Sequence, residues 1–163
     1  MYIYKIKNMA NAHSKDIEYK TNQDYNDYIQ NKTEENNMTD IKVISSNKAP
    51  AAIGPYSQAL AFGNMMFLSG QLPVDPATGK IPETVEEQTA QSISNIKNIL
   101  SENGMNITNV VKTTVFLSDI NDFAAVNKVY GEHFKEPFPA RSCIQVAAIP
   151  KGCKVEIECI AVK

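Results

Sequence analysis

The chain is poor in the residues on which much enzyme chemistry depends. It holds two histidines, His13 and His133, and a single arginine, Arg141. A histidine-rich metal centre is therefore not expected, and a Ser-His-Asp triad would have to be built around His133 alone. The three cysteines, Cys143, Cys153 and Cys159, form no CxxC pair and follow no signal peptide. Reduced thiols in an intracellular compartment are the expectation. No apolar run is long enough to span a bilayer, so no membrane is expected as a partner. With a net charge of −2 and a pI of about 5.7, the chain offers no positive field for a phosphate backbone, and nucleic acid is not expected either. P-loop, GxGxxG, HExxH and GxSxG patterns are absent.

What is present falls into two unlike parts. Residues 1–38 are dense in Asn, Gln and charge, with five lysines against six acids and neither Gly nor Pro. They show no apolar periodicity and read as a mostly disordered extension. A mitochondrial transit peptide should be basic, Arg-rich and poor in acids. This segment is none of these, so a cytoplasmic location is expected ahead of a mitochondrial one. Met38 opens a natural domain start, and residues 39–163 read as one globular domain. At 43% hydrophobic residues the chain has the material for a core. A domain of this size buries roughly 65–70% of its unfolded surface.

Within that domain the punctuation is clear. "IKVI" (41–44) is a short strand, and 57–70 is a hairpin turning at Gly63-Asn64. Thr84 and Glu87 form a capping box for a helix whose stripe is Val85, Ile93, Ile96 and Leu100, and Asn103-Gly104 stops it. "NVVKTTVFL" (109–117) is a strand. A second helix is expected from about Asn121 to Phe134, with Phe123, Val126, Tyr130 and Phe134 buried. Strands at 141–147 and 154–162 follow, joined around Pro150-Lys151-Gly152. Six short strands and two helices give a sheet with helices on one face. Strict alternation sets Val110 and Phe116 against Val111, Val115 and Leu117, and Val155 and Ile157 against Ile160 and Val162. Both faces therefore carry apolar residues, and a partner subunit is the economical cover for the second.

Several residues are candidates for chemistry. In a lysine-rich chain, the one guanidinium supplies a planar fork that matches a carboxylate with two parallel hydrogen bonds. A structural ion pair is the alternative role for Arg141. Glu156 and Glu158 share a strand face with Ile160 and Val162. A partly buried carboxylate there could act as a base or orient water, or simply pair with Lys112 or Lys154. If strands 141–147 and 154–162 pair as a hairpin, a one-residue slip decides whether Arg141 and Glu156 meet. Cys143 is a nucleophile only if His133 or a positive field ionises it, and an inert buried thiol is the simpler expectation. Tyr56, Ser69 and Gly70 lie in turn-like phrases, where Gly70 would let a ligand approach the backbone.

Read together, "APAAIGPYSQA", "LSGQLPVDPATG", "KTTVFLSDINDFAAVN" and "FPARSCIQVAAIPKGCKVEIE" closely resemble the RidA/YjgF family over residues 41–163. "YGEHFKEPFPARS" is a few residues shorter than in many bacterial relatives. The resemblance implies an α+β fold of the chorismate-mutase-like (RidA) type, a mixed sheet of about six strands with two helices on one face, assembled as a homotrimer with ligand clefts between subunits. It implies hydrolysis of small enamine or imine substrates that carry a carboxylate, such as 2-aminoacrylate, to a 2-keto acid and ammonia. Neither a cofactor nor a metal is expected. By the same resemblance Arg141 grips the substrate carboxylate and Glu156 positions the attacking water. Tyr56, Ser69, Asn127 and Cys143 match cleft positions, and the Gly70 amide would face the ligand. A non-catalytic regulator or chaperone-like protein, or a translation-inhibiting ribonuclease on the same trimer, is the alternative.

Overall fold

A computed structural model describes Gln23, Asp24 and Asn26, all helical, and residues 41–163. Apart from those three, the expectation for residues 1–38 lies outside the described residues, as does His13. Residues Ile41–Lys163 form one compact unit. Its strands are β1 (Lys42–Ile44), β2 (Ala59–Phe62), β3 (Met65–Gln71), β4 (Val110–Leu117), β5 (Ala140–Gln145) and β6 (Val155–Val162). Its helices are α1 (Val85–Ser101) and α2 (Phe123–His133). The six strands make one sheet in the order β1-β2-β3-β6-β4-β5. All pairs are antiparallel except β4 with β5, which are parallel and joined through α2.

The helices form where their ends are satisfied and one face is apolar. The Thr84 hydroxyl accepts from the Glu87 amide while the Glu87 carboxylate accepts from Thr84, closing the expected capping box. Gly104, at φ 64°, ends the helix, and the Met105 amide returns to the Leu100 carbonyl. Ile93, Ile96, Ile99 and Leu100 are fully buried against Leu117, Val155, Ile157 and Ala161 of the sheet. Each such side chain stabilises the fold by roughly 1.5–3 kcal/mol. Buried amides on α1 tie down the chain around it. Gln88 accepts from the Lys154 amide at 2.7 Å and donates to the Pro82 carbonyl at 2.8 Å. Asn95 donates to the carbonyls of Leu72 and Val74, both at 3.0 Å.

Two expectations need correction. The alternation in β4 is broken by a register shift against β6 between Val110 and Lys112. The irregularity turns Val110 into the core beside Val115 and Leu117 and leaves Val111 exposed. At the start of α2, a 3-10 turn over Ile120–Asp122 precedes the helix. Phe123 begins the α-helix itself and remains 40% exposed, so the buried stripe is Val126, Val129, Tyr130 and Phe134.

Candidate functional site

The structure brings the candidate residues together in two groups, on opposite faces of the sheet. The helix-covered group is built on β5 and α2. Arg141 pairs in register with Thr113, which pairs with Cys159, and both of these face the core. The guanidinium carbon lies 4.6 Å from the ring centre of Tyr130 and 5.7 Å from that of Phe123. These rings hold the fork flat by cation–π contact, a role for which arginine is suited. Tyr130 is itself fixed by a 2.8 Å hydrogen bond with Thr113 Oγ1, and its ring stacks on Phe134 with centroids 4.2 Å apart. Phe123, Asn127 and Tyr130 follow the four- and three-residue spacing of one helical face, so half-buried Asn127 belongs to the same group. Among the described residues no ion pair to Arg141 is formed within the chain; its contacts there are the two rings.

Cys143 follows two residues later and packs against the edge of the core. Burial pushes its thiol up, with Arg141 only partly opposing this. It is held as a thiol, which suits a lining residue better than a nucleophile. His133 is engaged elsewhere: its Nδ1 accepts from Lys97 Nζ at 3.0 Å. Burial and that cation hold its imidazole below the ordinary range.

The second group gathers where β3 meets β6. Leu68 pairs with Cys159 but Gln71 pairs with Ile157, so Ser69 and Gly70 together oppose the single residue Glu158. This β-bulge redirects the strand. A β-carbon built on Gly70 would overlap Glu156 Oε1 and stand 2.7 Å from its Cδ, so any side chain here would displace the carboxylate. Burial, and secondarily the charge of Glu158, hold the Glu156 carboxyl above its ordinary range. Ser69 is committed to the hairpin: its amide donates to the Gln58 carbonyl at 3.0 Å and its hydroxyl to the Ser57 carbonyl at 2.7 Å. Tyr56 is 48% exposed and lines two depressions. The larger, about 760 Å³, lies on the open face among Phe67, Ser69, Lys112, Glu158 and Ile160. The smaller, about 230 Å³, has Gly70 and Gln71 on one side and Pro50, Ile53, Leu72 and Val74 around it. Its walls are pinned by buried amides, Asn95 under Leu72 and Val74, and Gln58, which donates to the Pro50 carbonyl at 2.7 Å.

The condition under which register would decide whether Arg141 and Glu156 meet, a hairpin between the last two strands, is not fulfilled. β4 lies between β5 and β6, and β5 occupies the sheet edge. Glu156 pairs with Phe116 on the open face, whereas Arg141 points into the helix side. No slip of register was at stake; within one chain the two do not meet. The residues the sequence did not single out for the site are Tyr130 and Phe123. Seven residues apart on α2, they were legible as an aromatic pair on one helical face, but their partner was not. Among the described residues no group of three or more His, Cys, Asp or Glu is gathered as metal ligands, and no helix is long and apolar enough to cross a membrane.

An α+β domain with this glycine-backed carboxylate and ring-stacked arginine defines the class. Residues 46–163 match the family described as endoribonuclease L-PSP. The chain is 55% identical over 123 residues to a 2-iminobutanoate/2-iminopropanoate deaminase of Capra hircus, covering 75% of this chain and 90% of that protein. It is 51% identical over 125 residues to the protein of that name from Escherichia coli K12, covering 75% and 98%. The crystal structure of Escherichia coli TdcF with bound serine superposes with a TM-score of 0.72 at 48% identity, covering 75% of this chain and 98% of that one. The chain belongs to this family, the RidA/YjgF proteins.

Proposed function

We propose that the protein is an imine deaminase of the 2-iminobutanoate/2-iminopropanoate type, converting an enamine or imine acid and water to a 2-keto acid and ammonia. The observation that carries this reading is the Glu156 carboxylate seated against Gly70, half-buried and holding its proton to higher pH than an exposed glutamate. A carboxyl group so placed can both take and return a proton. After the enamine tautomerises, Glu156 removes a proton from water as the oxygen bonds to the imine carbon. That proton passes to the nitrogen to give a carbinolamine, whose hydroxyl proton is then also transferred to nitrogen as the C=O bond forms, the C–N bond breaks and ammonia leaves. Arg141, within cation–π distance of Tyr130 and Phe123, binds the substrate carboxylate.

Because Arg141 and Glu156 face opposite sides of the sheet, a working site takes Arg141, Asn127 and Cys143 from one subunit and Tyr56, Ser69, Gly70 and Glu156 from its neighbour. The reading therefore includes a homotrimer of chorismate-mutase-like subunits, with the exposed apolar residues of the open face in the interface. It also places the protein in the cytoplasm, in keeping with its free cysteines. Two measurements test it. A dehydratase generating 2-aminoacrylate from serine should release pyruvate faster when the protein is added. Sedimentation should give a mass near three chains. No acceleration would favour a non-catalytic role on the same fold, and a stable monomer would dismantle the shared site.

A further inference from the structure

The turn before β6 carries an anomaly that the hydrolysis above does not use. The Pro150 carbonyl accepts from the Cys153 amide at 3.3 Å. This closes a turn whose central residues, Lys151 (φ 60°, ψ 16°) and Gly152 (φ 68°), are both left-handed. Such turns favour Asn or Gly at both positions. Lys151 is the only non-glycine residue with positive φ among the described residues, and an L side chain is strained there. Strain of this kind is tolerated where the side chain has a task.

Its position suggests the task. Lys151 is exposed and lines the smaller depression, together with Gly70 and Tyr56. Of the other polar side chains lining that space, the Tyr56 hydroxyl accepts from the Ile53 amide at 3.4 Å, and Gln58, Gln71 and Asp75 are engaged within the chain. Gln58 serves the Ser46 and Pro50 carbonyls, Gln71 donates to the Ser69 carbonyl at 3.0 Å, and Asp75 accepts from the Ala77 amide and the Thr78 hydroxyl. The Lys151 ammonium has no such partner among the described residues. Gly70, against which the Glu156 carboxylate is seated, also lines this depression, so a substrate side chain entering it from Glu156 would run along Leu72 and Val74 toward this cation.

We propose that Lys151 is a specificity-determining residue that receives a second, side-chain carboxylate, so that imines of acidic amino acids are favoured substrates. The proposal rests on the deaminase reading above and names the substrate class of that site. Lys151→Asn keeps a residue at ease in the left-handed turn and removes only the charge; Lys151→Glu reverses it. An amino-acid oxidase supplies the imine of glutamate or, as the uncharged comparison, of leucine. The ratio of kcat/KM, glutamate imine over leucine imine, should fall about three- to fivefold in Lys151→Asn, the range of an exposed ion pair. It should fall further in Lys151→Glu, and the differences should shrink at high salt. A second arm measures calorimetric affinity for 2-oxoglutarate against 2-oxobutanoate, and the same ratio should drop. An unchanged ratio in either arm overturns the proposal. If no imine is turned over at all, the deaminase reading fails, and the binding arm still decides the role of Lys151.

Discussion

The two faces of the sheet are made by the same alternating strands, yet they meet different surroundings. On the helix side, Val115, Leu117, Val155 and Ile157 have no exposure at all, because α1 and α2 cover them. On the other side Phe67 is 42% exposed, Ile144 46% and Val43 63%, and Lys112, Glu156 and Glu158 stand among them. The covered face is specified by packing within the chain. The open face has no such cover among the described residues, and it holds Glu156, whose carboxyl burial and a like charge hold above its ordinary range. Packing within the chain is concentrated on one side and the candidate Glu156 on the other, with Arg141 at the covered edge.

That contrast can be broken most strongly at Glu156. Glu156→Gln keeps shape and loses charge, and turnover should fall about 10²–10⁴-fold, the usual range for a general acid–base group. Stability should move the other way. The folded chain binds this proton more tightly than the unfolded one, so the carboxylate weighs against folding as pH rises from the ordinary value of 4.5 through the raised one. Thermal melts should show the variant gaining over the parent at pH 7 and matching it near pH 4. Turnover of the parent should rise with pH across the same window.

A paired substitution sharpens the comparison between faces. Ile96→Ala, on the covered side, should cost about 2–5 kcal/mol by chemical denaturation. Phe67→Ser, on the open side, should leave the subunit fold nearly intact and lower the sedimenting mass. Equal losses of fold stability from both would mean that the faces are not energetically distinct. Gly70→Ala comes next. Its β-carbon must displace the end of the Glu156 side chain, and a shift of that size costs about 10²-fold in rate. Activity should fall while the circular dichroism spectrum stays unchanged. Arg141→Lys should have the smallest effect, roughly a tenfold loss in kcat/KM, the worth of one charged hydrogen bond. If it instead unfolds the protein, the stacking on Tyr130 is structural.

Much of this was legible in the sequence, and the limits were physical. The capping box at Thr84, the glycine stop at Gly104 and the Gly63 hairpin are local, so their residues announce them. Arg141 and Glu156 stood out as chemically unusual positions. Their separation onto opposite faces was hidden, because it depends on β4 being interposed between β5 and β6, and pairing order is a non-local property. The same holds for the bulges at Val110–Lys112 and Ser69–Gly70, where an extra residue reverses the parity that alternation assumes. Phe123 looked buried by helical spacing, but it begins α2 and overhangs the edge strand, where it serves Arg141 instead of the core.

β6, the last strand in chain order, occupies the middle of the sheet. A ribosome delivers the strands in sequence, so until Val155–Val162 emerge there are two separate fragments, β1-β2-β3 and β4-β5, each with an unpaired inner edge. Every strand pairing that joins them arrives together with Glu156. Completion of the sheet and placement of Glu156 are thus a single event in biosynthesis, and a nascent chain halted before residue 155 has neither a continuous sheet nor this carboxyl group.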